Sequence, residues 1–404
     1  MTESDYDIDD LSLGAEEEAR ALALLRANDP VHWDPKGERW LLTRHADVRS
    51  VSRRPELFSS EPNGPWHAFE SHFSMQAEDG APHHRSRKVV SRGFTPRVTQ
   101  HLAERVRRYA DEAIDGVAGS RHFDLVEDIA VPVPMRIIAD MLGLDANYDL
   151  FRRWVNTVTA AVSRDGQPTA EEKQNAAEFE AFVRATVKER KERPGDDLIS
   201  TLLAGSGEGV LDSFARQPFP GVPRGDGVLG FIAFLVLAGS ETTRHAISQG
   251  MRALIEHPAE REKLVAHPEL MESATEEILR WTTPVRVMQR TVMRDTELCE
   301  RKIERGSRVL LLYHSANRDE RVFEEPEHFR VDRSPNDHTS FGFGSHFCLG
   351  ANLARMEIRV TLERLLERLP GLELSPDAQP QRFASSIVNG LSQLPVVSTA
   401  GARC

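Results

Sequence analysis

The chain has 404 residues, with 63 acidic and 51 basic side chains and a formal net charge of -12. With 40% hydrophobic and 28% charged residues it reads as a folded globular protein, which excludes whole-chain disorder and fibrous architectures. The acidic balance argues against a duplex nucleic-acid binder, because phosphates demand clustered Lys and Arg.

The start, Met1-Thr2-Glu3-Ser4-Asp5, is acidic and lacks the basic and apolar regions of a secretory signal, so residues 1–25 read as an acidic lead-in and the protein as cytoplasmic. Val31, Trp33, Trp40 and Leu42 around Asp34-Pro35-Lys36-Gly37 predict a strand pair over residues 30–43, with a helix from about Arg44. Apolar residues three and four apart, as in Leu102, Val106 and Ala110, predict mostly helix over residues 96–193. The Gly- and Pro-rich stretch 205–227 predicts a surface loop. The longest apolar run, residues 231–238, falls short of the roughly 18 residues a membrane span needs. Helices between Gly250 and Trp281 are interrupted near Pro258 and Pro268, a short strand covers residues 309–313, and residues 317–341 are loop-rich. A final helix runs from about Leu349 to Leu369. The class expected is mainly α with minor β: one large helical domain over residues 1–404 with small sheets, and a monomer.

Cys299, Cys348 and Cys404 are too few and too far apart for a disulfide framework or a CxxC zinc site, so cysteine chemistry belongs to a lone thiol. Cys348 lies in Phe341-Gly342-Phe343-Gly344-Ser345-His346-Phe347-Cys348-Leu349-Gly350, directly before the final helix. There it faces unpaired amide N–H groups and the positive helix end, both of which favour the thiolate, a good metal ligand. The glycines let backbone approach a flat group closely, and Phe341 could shield the sulfur. An isolated cysteine in a Gly-rich turn is more often a packed structural thiol. The neighbourhood changes that reading, since F-x-x-G-x-x-x-C-x-G arises by chance in such a composition with a likelihood of only roughly 5 in 10,000.

Upstream, residues 231–243 form a helix apolar all round until it meets Ser240-Glu241-Thr242-Thr243, where small Ala238 and Gly239 would leave room for a ligand. A buried acid and hydroxyls there need partners, and a Thr hydroxyl bonding back to a carbonyl can open the ladder; a helix end with a capping hydroxyl fits the same residues. Glu277 and Arg280 share one helical face at i, i+3, as a surface ion pair also would.

Together these motifs resemble the cytochrome P450 family, specifically its soluble bacterial haem-thiolate monooxygenases. The resemblance runs from the strand pair near Trp40 to the end of the chain and implies the P450 fold. It implies haem b with Cys348 as axial thiolate, O2 as oxidant, and a proton relay through Glu241 and Thr242. It further implies a buried structural triad of Glu277, Arg280 and Arg333 that holds the haem loop. His83, Arg87, Arg290 and His346 would meet the haem propionates, with Ala238, Gly239, Phe341, Gly342 and Gly350 against the macrocycle; as Arg is mostly exposed, solvated surface cations remain the plain alternative. Substrate contacts map to Trp66, Ala233, Leu237, Val285, Val287, Ile387 and Val388, although Trp66, like Phe69 and Phe73, either lines the cavity or simply packs. Arg286 either anchors a carboxylate or is solvated.

No G-x-G-x-x-G fingerprint or cysteine cluster is present, so NAD(P)H would supply electrons indirectly through a ferredoxin reductase and a ferredoxin. Arg85, Lys88 and Arg92 would steer an acidic ferredoxin or simply be solvated. The expected activity is insertion of one oxygen atom into a C–H bond of a hydrophobic small molecule: a sterol, terpenoid, fatty acid or polyketide-like compound. The alternatives are a peroxide-dependent peroxygenase, disfavoured by the intact Glu241-Thr242 relay, and a haem sensor or carrier without turnover.

Overall fold

A computed structural model describes residues 6–61, 75–95, 99–144, 148–163, 169–205 and 227–398. The surface loop expected at 205–227 and the segment carrying Trp66, Phe69 and Phe73 therefore fall almost wholly outside the described residues.

The hairpin forms as β1 (Val31–Asp34) and β2 (Arg39–Leu42), antiparallel, with Val31 opposite Leu42 and Trp33 opposite Trp40. Its turn closes on Asp34, whose carboxylate accepts from the Lys36 and Gly37 amides and from Arg39 Nε at 2.8 Å; the Asp34 and Arg39 side chains are buried. Before it lies α1 (Ala15–Asn28), so much of the acidic lead-in is ordered and packed. Tyr6, Ile8, Leu22 and Leu25 share a buried cluster with Leu41, Leu310 and Leu312 of the sheet.

After the hairpin come α2 (His45–Ser52), the two-residue β3 (Phe58–Ser59), α3 (Gly80–Val90), α4 (Ala103–Gly116) and β4 (His122–Asp124). A π-helical turn (Val126–Ala130) leads into α5 (Pro132–Leu142), α6 (Tyr148–Ser163), α7 (Ala170–Glu192), α8 (Leu198–Gly205) and the 30-residue α9 (Gly227–Glu256). Expected breaks follow at α10 (Pro258–Ala266) and, after a 3-10 turn, α11 (Met271–Thr282). Their cause is the ring of each proline, which pushes the residue before it out of helical backbone: His257 sits at φ -120, ψ 72 and His267 at φ -130, ψ 73.

The last third adds β5 (Val287–Val292), the hairpin β6 (Thr296–Leu298) and β7 (Arg301–Ile303), β8 (Arg308–Leu312), and α12 (Ala351–Arg368). It ends with β9 (Leu372–Leu374), β10 (Gln381–Arg382), β11 (Leu391–Gln393) and β12 (Pro395–Ser398). One sheet has the order β1-β2-β8-β5-β3, parallel only between β2 and β8; a second runs β4-β12-β9.

α9 is the axis of the helical part, buried continuously from Leu229 to Leu237 and packed on α5, α11 and α12. Among the described residues it is also the one helix long and apolar enough to cross a membrane, but 67% of its most apolar window lies inside the protein, as a core helix requires.

Candidate active site

α9 and α12 face each other across a cavity whose floor is the loop 341–350 and whose sides include Met75, Phe94, Val285 and Met288. Cys348 lies on that floor, deep in the fold, with its exposed surface turned to the cavity. Its amide donates to Phe341 O at 2.8 Å, which closes the loop. Burial pushes the thiol's pKa up, against the downward pull of the Gly350 amide, Arg87 and Arg355. Without a metal the sulfur keeps its proton; coordination would displace it.

Two glycines shape the loop. Gly342 and Gly344 have φ of 68° and 77°, and a Cβ on Gly344 would stand 2.3 Å from the Ser52 carbonyl oxygen at the end of α2. Phe343 is covered by Arg49 at 4.1 Å and Arg53 at 4.6 Å. Over Phe341 lies Arg355, 4.5 Å from the ring, which is itself held by Glu276 at 2.6 and 2.8 Å; His338 holds the same carboxylate at 3.1 Å.

Glu277, Arg280 and Arg333 come together beneath this loop. Arg280 donates from Nε and Nη2 to the two Glu277 oxygens at 2.7 and 2.8 Å, and Arg333 Nε adds a bond at 3.0 Å; the ion pair is fully buried. Arg280 also caps the carbonyls of Asn317 and Pro326. Asn317 carries the network onward to Thr339 and Ser340, where the cysteine loop begins.

His83 and Arg87 of α3, Arg290 of β5 and His346 all line the cavity. The His83 and His346 rings lie 4.2 Å apart, and Arg87 donates to the Phe347 carbonyl. Burial, then His346 and Arg87, lowers the pKa of His83 to about 4, and burial lowers that of His346 against the upward pull of Asp79. Asp79, not anticipated from the sequence, accepts from His346 Nε2 at 2.9 Å and from the Ser59 hydroxyl and Ser60 amide. Burial works against its charge, but those bonds hold its pKa at about 2. His83 Nδ1 is buried with no hydrogen-bond partner among the described residues. An orphaned donor or acceptor, two guanidiniums and a sulfur floor with close-approach glycines fit a flat, iron-bearing macrocycle with two carboxylates.

On α9, Ser240 and Thr242 bond back to the carbonyls of Val236 at 2.5 Å and Ala238 at 2.9 Å. Thr242 lines the cavity, as do Ala238 and Gly239; Glu241 is buried away from it, bound to Arg244 Nη2 at 2.6 Å. The acid that does line it is Glu357 of α12, whose hydrogen-bonding neighbour is Thr243. Burial raises its pKa to about 8. Its sequence signal is faint: an acid between Met356 and Ile358 on a helix face that turns out to be buried.

That carboxyl gives a testable pH dependence. Its folded pKa lies above the unfolded one, so its stabilising effect is complete below about pH 4.5 and declines up to about pH 8, by at most about 1.4 kcal/mol per pH unit. Glu357→Gln should therefore gain thermal stability relative to the parent as pH rises from 5 to 8. A Tm difference that stays constant across that range would contradict a buried neutral carboxyl.

The substrate-facing expectations divide. Val285 lines the cavity, but Val287 and Ile387 are buried in the cluster under α1, and Val388 packs there while bridging to Val285. Ala233 and Leu237 are buried and absent from the cavity wall, where Phe234 and Leu235 stand instead. Trp66 lies outside the described residues. Arg286 is neither solvated nor in the cavity: it is buried in an ion pair with Glu18, which also accepts from Tyr6 at 3.1 Å. Arg85, Lys88 and Arg92 are exposed.

The family model for cytochrome P450 matches residues 97–395. The chain is a cytochrome P450. As a P450 monooxygenase it uses haem and O2. It is 37% identical over 411 residues to a steroid C26-monooxygenase of Mycolicibacterium smegmatis, covering 100% of this chain and 98% of that one. It is 36% identical over 397 residues to a methyl-branched lipid omega-hydroxylase of Mycobacterium tuberculosis, covering 93% and 90%. Among solved P450 structures, CYP109E1 from Bacillus megaterium in complex with testosterone superposes with a TM-score of 0.80 at 31% identity, covering 94% of this chain and 98% of that one. CYP109Q5 from Chondromyces apiculatus gives 0.83 at 31%, with both chains covered completely.

Proposed function

We propose that this P450 hydroxylates a terminal methyl carbon on a branched aliphatic chain, carried by a steroid or a methyl-branched lipid. The observation that carries the reading is the full-length similarity to enzymes named for the C26 position of steroids and the omega position of branched lipids, since both are chain-end carbons. The cavity supports it: Phe234, Leu235, Val285 and Met288 line it with apolar surface, which suits a hydrocarbon.

Bound haem supplies the oxidising power that removes hydrogen from an unactivated C–H bond. The chain's own residues do the rest. Cys348 would furnish the sulfur that binds the iron, and Phe341 with its Arg355 cover would keep water from it. His83, Arg87, Arg290 and His346 would hold the haem's two carboxylates, and the Glu277-Arg280-Arg333 triad holds the loop. Gly239 and Ala238 leave space against α9, where Thr242 would pass protons on at the cavity wall, with Glu241 one residue back on the helix as their source. Electrons come from NAD(P)H through a ferredoxin reductase and a ferredoxin that meets exposed Arg85, Lys88 and Arg92 of an otherwise acidic protein. A single-domain monomer in the cytoplasm completes the reading.

The test is turnover of purified holoenzyme with ferredoxin, its reductase and NAD(P)H, offered a sterol with a branched side chain or a methyl-branched fatty acid. A primary alcohol at the chain end, formed in step with NAD(P)H consumption, is expected. Thr242→Ala should keep consuming NAD(P)H but release peroxide, with product per NAD(P)H falling at least about tenfold. Hydroxylation in mid-chain would overturn the regiochemistry, and absence of steady NAD(P)H consumption would favour a haem carrier.

A further inference from the structure

We propose that His245 is a positioning residue for Glu241, its neutral imidazole serving as a second seat for that carboxyl when Glu241 leaves Arg244. The inference rests on the reading of Glu241 and Thr242 as a proton relay and goes beyond it by assigning what governs the acid.

One helical turn of α9 places Arg244 at i+3 and His245 at i+4 from Glu241, so both flank the same carboxyl. Glu241 Oε2 accepts from Arg244 Nη2 at 2.6 Å, and the same oxygen stands 3.9 Å from His245 Nε2. A shift of about 1 Å would close the second distance to hydrogen-bond length.

His245 is the anomaly. Its side chain is wholly buried, yet neither ring nitrogen has a hydrogen-bond partner among the described residues. Buried polar atoms left unpaired are costly, and each calls for an explanation. The ring is held by shape instead. It lies 5.1 Å from the Phe383 ring, and the Gly390 backbone presses so close that a Cβ there would stand 2.3 Å from Nδ1. That backbone is tied to α9 by Gln249 Nε2, which donates to Asn389 O at 2.9 Å. Gly390 thus occupies the Nδ1 side and leaves Nε2 as the nitrogen turned toward Glu241.

The electrostatics fit a two-seat arrangement. Burial first, and Arg244 second, keeps His245 uncharged, so it offers one N–H and no competing charge. A carboxylate on a guanidinium is stabilised as an anion and gives up no proton; against a neutral donor in a dry interior that stabilisation is weaker, and the acid form gains. Arg244 has somewhere to stay when it lets go, because its guanidinium carbon is 5.6 Å from the Phe383 ring centroid.

Three substitutions separate positioning from packing. Gln carries its amide near the place of Nε2, Asn carries it near Nδ1, and Phe keeps the ring without nitrogens. In holoenzyme turnover, His245→Gln should keep product per NAD(P)H within about twofold of the parent, while His245→Asn and His245→Phe should lose it by about fivefold or more to peroxide. An independent readout is nitrogen-15 NMR of histidine-labelled holoenzyme in its diamagnetic ferrous carbon monoxide form. His245 should be the neutral Nε2–H tautomer at pH 7, and its Nε2 signal should move on Arg244→Met. An Nδ1–H or protonated ring overturns the proposal, as does parental coupling in His245→Phe, or loss in all three variants in proportion to their Tm. If the parent itself fails to consume NAD(P)H, the relay reading falls, and the tautomer still decides the question for His245.

Discussion

Cys348→Ser should abolish the red-shifted thiolate absorption band of the reduced carbon monoxide complex and cut product formation more than about 1,000-fold. The reason is local. A serine hydroxyl ionises far less readily than a thiol and cannot push electron density onto iron as sulfur does. The fold should survive, because the contact that shapes the loop is the backbone bond from residue 348 to Phe341 O, which serine retains. Circular dichroism should therefore match the parent while the band is lost. Retention of the band at its parental position would remove Cys348 as the iron ligand.

The second large effect concerns stability. Glu277→Gln should cost about 3–5 kcal/mol, because it leaves Arg280 and Arg333 buried without their counter-ion. Glu277 also accepts from the Arg330 amide at 3.0 Å and from Asn336 at 3.2 Å, so the loss reaches the segment that leads to the cysteine loop. Urea unfolding is the measurement, with exposed Glu272→Gln on the same helix as control. A midpoint equal to that of the control would show that the triad does not hold the fold together.

The motifs were legible because their chemistry depends on short spacings within single elements: the cysteine loop, the Glu277-Arg280 pair, and the acid-hydroxyl break in an apolar helix. Proline positions gave the helix breaks of the last third for the same reason. What the sequence hid depends on contacts between elements. α9 is apolar on every side, so no hydrophobic face distinguishes Phe234 and Leu235, which meet the cavity, from Ala233 and Leu237, which do not. Val287 and Ile387 read as ligand contacts, yet they pack under Tyr6 and Ile8, residues of the acidic lead-in. Arg286 reads as solvated or as a substrate anchor because its partner, Glu18, lies 268 residues earlier in the chain. Glu357 and His245 each look like ordinary polar residues on a helix until the neighbouring element removes water from them.

Gly344 rests against the Ser52 carbonyl with no room for a side chain between them. The terminus of α2 is thereby the datum from which the height of the sulfur is measured, and an outer helix, through one backbone-on-backbone abutment, sets the elevation of the cavity floor.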